Sequence, residues 1–80
     1  MDKVRELVGT NIRCVRLKKR LSQEQVAWNA NLNAAYLGLV ERGKKNIGID
    51  ALARIAEVLN VGLTELFVPL QTTSDNSNNE

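Results

Sequence analysis

Two short apolar-patterned stretches, about residues 23–30 and 34–42, stand only three residues apart, with Asn31, Leu32 and Asn33 between them. A connection that short joins two helices through a tight turn and leaves them neighbours in space. The start of the first is marked by Leu21-Ser22-Gln23-Glu24-Gln25. The Ser22 hydroxyl can accept from the Gln25 N–H while the Gln25 side chain reaches back to Ser22, and Leu21 can staple onto Val26. Asn31 tolerates the left-handed backbone that ends a helix. Leu32 then anchors the turn, and Asn33 is a good N-cap for the second helix. Leu37 and Val40 form the inward edge of that helix, and Gly43 stops it.

The remaining apolar periods predict the helices that support this pair. Val4, Leu7, Val8, Ile12 and Val15 recur at steps of three and four, one helical stripe between residues 3 and 20. Lys18, Lys19 and Arg20 crowd its end, where cations suit the partial negative charge of free carbonyls. Leu52, Ile55, Ala56 and Leu59 predict a fourth helix over 49–59, ended by Asn60. Gly62 permits a turn into a fifth, roughly 63–68. Five helices and no strand define an all-α class. Pro69 lacks an N–H and closes the domain at residue 69; the polar stretch 70–80 reads as a disordered tail.

Composition removes whole classes of function. A chain of 80 residues has room for one small domain. It has no His and one cysteine, Cys14, which leaves no disulfide framework, no metal-ligand spacing and no ordinary general base. No enzyme activity, metal or cofactor is expected. No apolar run approaches the roughly 20 residues that cross a bilayer, and no leader pattern is visible, so a cytoplasmic module without membrane contact is expected. The charge is polarised. Residues 1–45 hold ten basic against four acidic side chains, a net +6, and residues 46–80 hold one against five, a net −4. Such a split suits a protein that turns one face to a polyanion; solvated helix faces would produce it as well.

The ordered set of motif residues resembles the Cro/CI-like (XRE) helix-turn-helix family of phage and bacterial repressors. It runs from Gly9, Ile12-Arg13 and Arg16 through Leu21-Ser22-Gln23-Glu24, Ala27, Ala30, Leu32, Tyr36-Leu37 and Glu41-Arg42-Gly43-Lys44. It finishes with Leu52, Ile55-Ala56, Leu59 and Leu63-Thr64-Glu65-Leu66-Phe67, so about residues 8–68 are covered. The stretch 36–47 is closest to restriction–modification controller proteins and compact prophage repressors, and the sequence does not choose between them. Three departures stand out. Asn31 replaces the usual turn glycine, Gly48 and Gly62 stand where the family often has Ser caps, and Asn33-Ala34-Ala35 opens the reading helix where longer polar side chains are usual.

The resemblance implies a five-helix, lambda-repressor-like domain that binds palindromic double-stranded DNA as a homodimer, with the third helix in the major groove. It leaves room for a contact with RNA polymerase, and the sign of regulation depends on where the operator lies relative to it. Ala34, Ala35, Gly38 and Leu39 fall on the outward face of the third helix, with Tyr36 at its edge. Alanines carry no donor for base edges but can touch a thymine methyl. Few direct base contacts are therefore expected, supplemented by Arg42 or Lys44 and by DNA shape. Phosphate contacts are expected from Gln23, Asn33, Tyr36, Lys44, Lys45 and Asn46. The family further implies an ion pair between Arg16 and Glu41. Surplus apolar residues Ile47, Ile49, Leu63, Phe67, Val68 and Leu70 are expected to form the dimer interface.

Several residues admit two readings. Trp28 is expected to pack along the groove between helices rather than touch DNA. Cys14 is expected to be an inert thiol. The Lys18-Lys19-Arg20 run is a solvated helix end or a phosphate contact, and Phe67 is expected at an interface rather than in plain core. The rival function is an antitoxin that both binds DNA and caps a toxin. The short polar stretch after Pro69 counts against it.

Overall fold

The computed structural model describes residues 2–69, apart from the side chain of Asp2. Four α-helices follow one another: α1 Asp2–Lys18, α2 Gln23–Asn29, α3 Ala34–Glu41 and α4 Ile49–Leu59. A short 3₁₀ helix, Leu63–Phe67, ends the fold. Among the described residues there is no strand, so the all-α class is correct.

All four α-helices stop in the same way. A residue in the left-handed region follows each one: Arg20, Asn31 and Asn60 at φ 60° and Gly43 at φ 73°. Each is accompanied by a pair of reversed hydrogen bonds. After α1 the Leu21 N–H donates to the Arg16 carbonyl and the Arg20 N–H to that of Leu17; after α2 the Leu32 N–H donates to Ala27 and the Asn31 N–H to Trp28. Lys44 to Leu39 and Gly43 to Val40 repeat the pattern after α3, and Val61 to Ala56 and Asn60 to Glu57 after α4. These are Schellman ends, which satisfy carbonyls that a helix terminus would leave without partners.

The fifth element corrects the expectation of an α-helix over 63–68. Its N-cap Gly62 has no side chain to receive the first N–H groups. At the other end Pro69 disfavours helical backbone in the residue before it, and Val68 is extended at φ −120°, ψ 149°. Between these limits only five residues remain, enough for a 3₁₀ turn.

The core is aliphatic. Ile12, Val26, Leu37, Ile55, Leu59 and Leu66 are essentially free of solvent and come from all five elements. Asn11 is buried among them. Its Nδ2 donates to the carbonyls of Leu66 at 2.9 Å and Val68 at 2.7 Å, fastening the 3₁₀ helix to α1. α1 and α3 pack tightly at Gly9. A Cβ on Gly9 would press on the carbonyl oxygen of Val40 and stand 2.7 Å from that of Glu41.

Candidate nucleic-acid interface

The α2 cap forms as its spacing requires. The Gln25 N–H donates to Ser22 Oγ at 3.0 Å, and the Ser22 N–H donates to Gln25 Oε1 at 2.8 Å. Asn33 caps α3, its Oδ1 accepting from the N–H groups of Ala35 at 2.8 Å and Tyr36 at 3.3 Å. These caps fix the N-termini of both helices, the ends at which N–H groups and the helix dipole favour an anion. Asn33 and Ala35 are exposed, so the start of α3 is free to meet a partner.

One carboxylate ties α3 to α1 and α2. Arg16 Nε donates to Glu41 Oε2 at 2.7 Å and Arg16 Nη2 to Glu41 Oε1 at 2.9 Å, a bidentate pair between α1 and α3. The two side chains are 8% and 1% exposed, so water screens them little. Arg16 Nη1 also donates to the Leu21 carbonyl ahead of α2, at 2.9 Å. Gln23 Nε2 completes the set by donating to Glu41 Oε1 at 2.9 Å. The family-implied ion pair is therefore present, and it extends to α2 through Gln23. A Gln side chain held by one N–H keeps its other N–H available as a donor.

Around this network the other candidate residues are distributed unevenly. Arg42, Lys44, Lys45 and Asn46 are exposed just past α3. The Tyr36 hydroxyl lies 3.4 Å from the Asn46 carbonyl, a contact too long to hold it. Ala34 and Leu39 are half-buried. Gly38 corrects one expectation for the outward face, its exposure. It is buried, because the Gln23 amide and the Arg42 guanidinium lie over it. Trp28 is a second correction. It is 84% exposed and lines no interhelical groove, since Val26, Ala27 and Ala30 already supply the buried face of α2. Cys14 is an exposed free thiol.

The expected interface residues divide in two. Ile49, Phe67 and Val68 are exposed at 65%, 40% and 51%. Ile47 and Leu63 are partly buried and pack on the core, and Leu70 lies outside the described residues. Two contributors went unseen in the sequence. Asn11 follows Val8 by three and precedes Val15 by four, so its place in the buried stripe was a readable signal. Arg54 Nε donates to the Ala30 carbonyl at 2.8 Å, closing the end of α2 from α4; nothing in local spacing marks that pairing.

The helix-turn-helix family model matches residues 12–66. The uncharacterized HTH-type transcriptional regulator y4dJ of Sinorhizobium fredii is 36% identical over 70 residues, 88% of this chain and 91% of the relative. The restriction–modification controller protein C.AhdI of Aeromonas hydrophila superposes with a TM-score of 0.77 at 35% identity, over 79% of this chain and 96% of the controller. C.Esp1396I bound to a 25 base pair operator site superposes at 0.72 with 31% identity, over 80% and 84%. These relatives are regulators and controllers by name, not enzymes. The chain belongs to the helix-turn-helix family, in its XRE branch of transcriptional regulators.

Proposed function

We propose that this chain binds a palindromic operator in double-stranded DNA as a homodimer and acts as a repressor or autoregulator of transcription. The observation that carries the reading is an exposed, Asn33-capped α3 locked to α1 and α2 by the buried Arg16–Glu41–Gln23 network, with Lys44 and Lys45 exposed beside it. A rigid helix flanked by cations suits the major groove and its phosphate rims. That a similar controller protein is bound to a 25 base pair operator site supports DNA binding here.

Fluorescence-anisotropy titration tests the docking. Lys44→Ala/Lys45→Ala is expected to weaken binding on every duplex. Its log Kd against log salt should be shallower by about 3.6 for the dimer, since two contacts are lost in each half-site and each removes about 0.9. Gln23→Ala is expected to weaken all sequences as well. Affinities equal to the unaltered chain's would remove these residues from the interface.

Dimerisation gives the reading its symmetry, placing two α3 helices one DNA turn apart, about 34 Å. Val4, Ile49 and Phe67 line one apolar groove, and Val4 is 54% exposed. An exposed apolar patch of this kind supports a self-association face. Phe67→Asp is expected to give monomers in sedimentation velocity; an unchanged dimer mass would move the interface off this groove.

A further inference from the structure

A glycine inside a helix is about 1 kcal/mol less favourable than alanine, so Gly38, in the middle of the eight-residue α3, needs a reason. Backbone crowding is not the reason. The nearest atom to a Cβ built there is 3.4 Å away, and it belongs to the flexible Gln23 side chain. The position instead forms a shallow seat. The Gln23 amide and Arg42 Nη1, 3.6 Å from that Cβ point, occupy it. Arg42 follows Gly38 by four residues, and a helical side chain leans back over the preceding turn, which lays its guanidinium along the outer surface of α3.

Most of the other groups on the face of α3 cannot read a base by hydrogen bonding, and Tyr36 stands only at its edge. Ala34, Ala35, Gly38 and Leu39 have no side-chain donor or acceptor. Gln23 has one amide N–H held by Glu41, and in the proposed docking its other N–H meets a phosphate rather than a base. Arg42 is exposed, and its guanidinium makes no hydrogen bond or ion pair among the described residues. A planar fork of free donors matches O6 and N7 of guanine. We infer that Arg42, seated over Gly38, is the specificity-determining residue of this helix and reads a guanine in each half-site, while Ala35 and Leu39 meet the methyl of a nearby thymine. Ala35 lies seven residues before Arg42, two helical turns, but the side chain recovers about one of them. The two readouts are then one turn apart, about 5.4 Å, or within two base steps.

This inference rests on the DNA-binding reading, and the experiment separates the two. Duplexes enriched by the full-length chain from a random pool are titrated against the chain and Arg42→Ala, with thermal melts to establish that the variant is folded. The enriched sites are expected to hold a fixed guanine with thymine within two steps. Replacing that guanine by 7-deazaguanine, which lacks N7, should weaken the unaltered chain about 10-fold and leave Arg42→Ala unaffected. Arg42→Ala should lose about 10- to 100-fold per half-site on the enriched site and much less on unrelated duplexes. Enriched sites with no deazaguanine effect, or an Arg42→Ala loss equal on all sequences with a shallower salt slope, would make Arg42 a phosphate contact and overturn the inference alone. Failure to enrich any sequence would overturn it together with the proposed function.

Discussion

Gly9→Ala is expected to unfold most of the population at 25 °C. The added Cβ would be driven against the carbonyl oxygen of Val40 and would lie 2.7 Å and 2.9 Å from the carbonyl oxygen and carbon of Glu41. These are backbone atoms near the end of α3, so they cannot rotate aside as a side chain does. Relief requires α1 and α3 to separate, and their contact carries Ile12 and Leu37 into the core. Overpacking a core with flexible neighbours costs about 1–3 kcal/mol. With rigid neighbours a loss of at least about 3 kcal/mol is expected, comparable to what a single core supplies in a domain this small. Circular dichroism at fixed protein concentration should show a fall in Tm of more than about 12 °C, taking about 4–8 °C per kcal/mol. Gly38→Ala is the control. Its Cβ meets only the movable ends of Gln23 and Arg42, and the gain in helix propensity should leave stability unchanged or higher. Equal melting of Gly9→Ala and the unaltered chain would show that the helices tolerate a wider crossing.

The contrast between these two glycines shows what the sequence could and could not carry. Ser22, Gln25, Asn31, Asn33, Gly43 and Asn60 were legible because caps and helix ends depend on residues within five positions of one another. Arg20 plays the same part as Asn31 and was not legible, since an arginine is an unusual choice for left-handed backbone. Gly38 was placed outward by helical period alone, and period cannot report that two long side chains, one from another helix, fold over it. Trp28 was misplaced for the opposite reason. Its ring was expected to cover apolar surface, but three smaller residues had already filled that face. The motif residues located α2, α3 and the turn between them correctly along the chain. The way Gln23 joins the Arg16–Glu41 pair depends on the crossing of three helices, which spacing does not encode.

That junction sets the second large effect. Glu41→Ala would leave the buried Arg16 guanidinium facing only the Leu21 carbonyl, and would free Gln23. Breaking a buried pair from one side costs about 3–5 kcal/mol, because the remaining charge keeps its desolvation penalty without its partner. Arg16→Ala is expected to fall in the same range, with Glu41 left to the single Gln23 N–H. The double variant Arg16→Met/Glu41→Leu removes both charges and is expected to recover most of the loss, since apolar replacements of a buried pair are often neutral or stabilising. Urea denaturation of the unaltered chain, Arg16→Met, Glu41→Leu and the double variant closes the cycle and gives the coupling energy. A coupling below about 1 kcal/mol would mean that the pair behaves as an exposed one. The double variant also separates stability from placement. It keeps the fold while Gln23 loses its acceptor, so under the proposed docking it should melt near the unaltered chain and still bind DNA more weakly. Full DNA affinity in that variant would show that the carboxylate stabilises the domain without positioning Gln23.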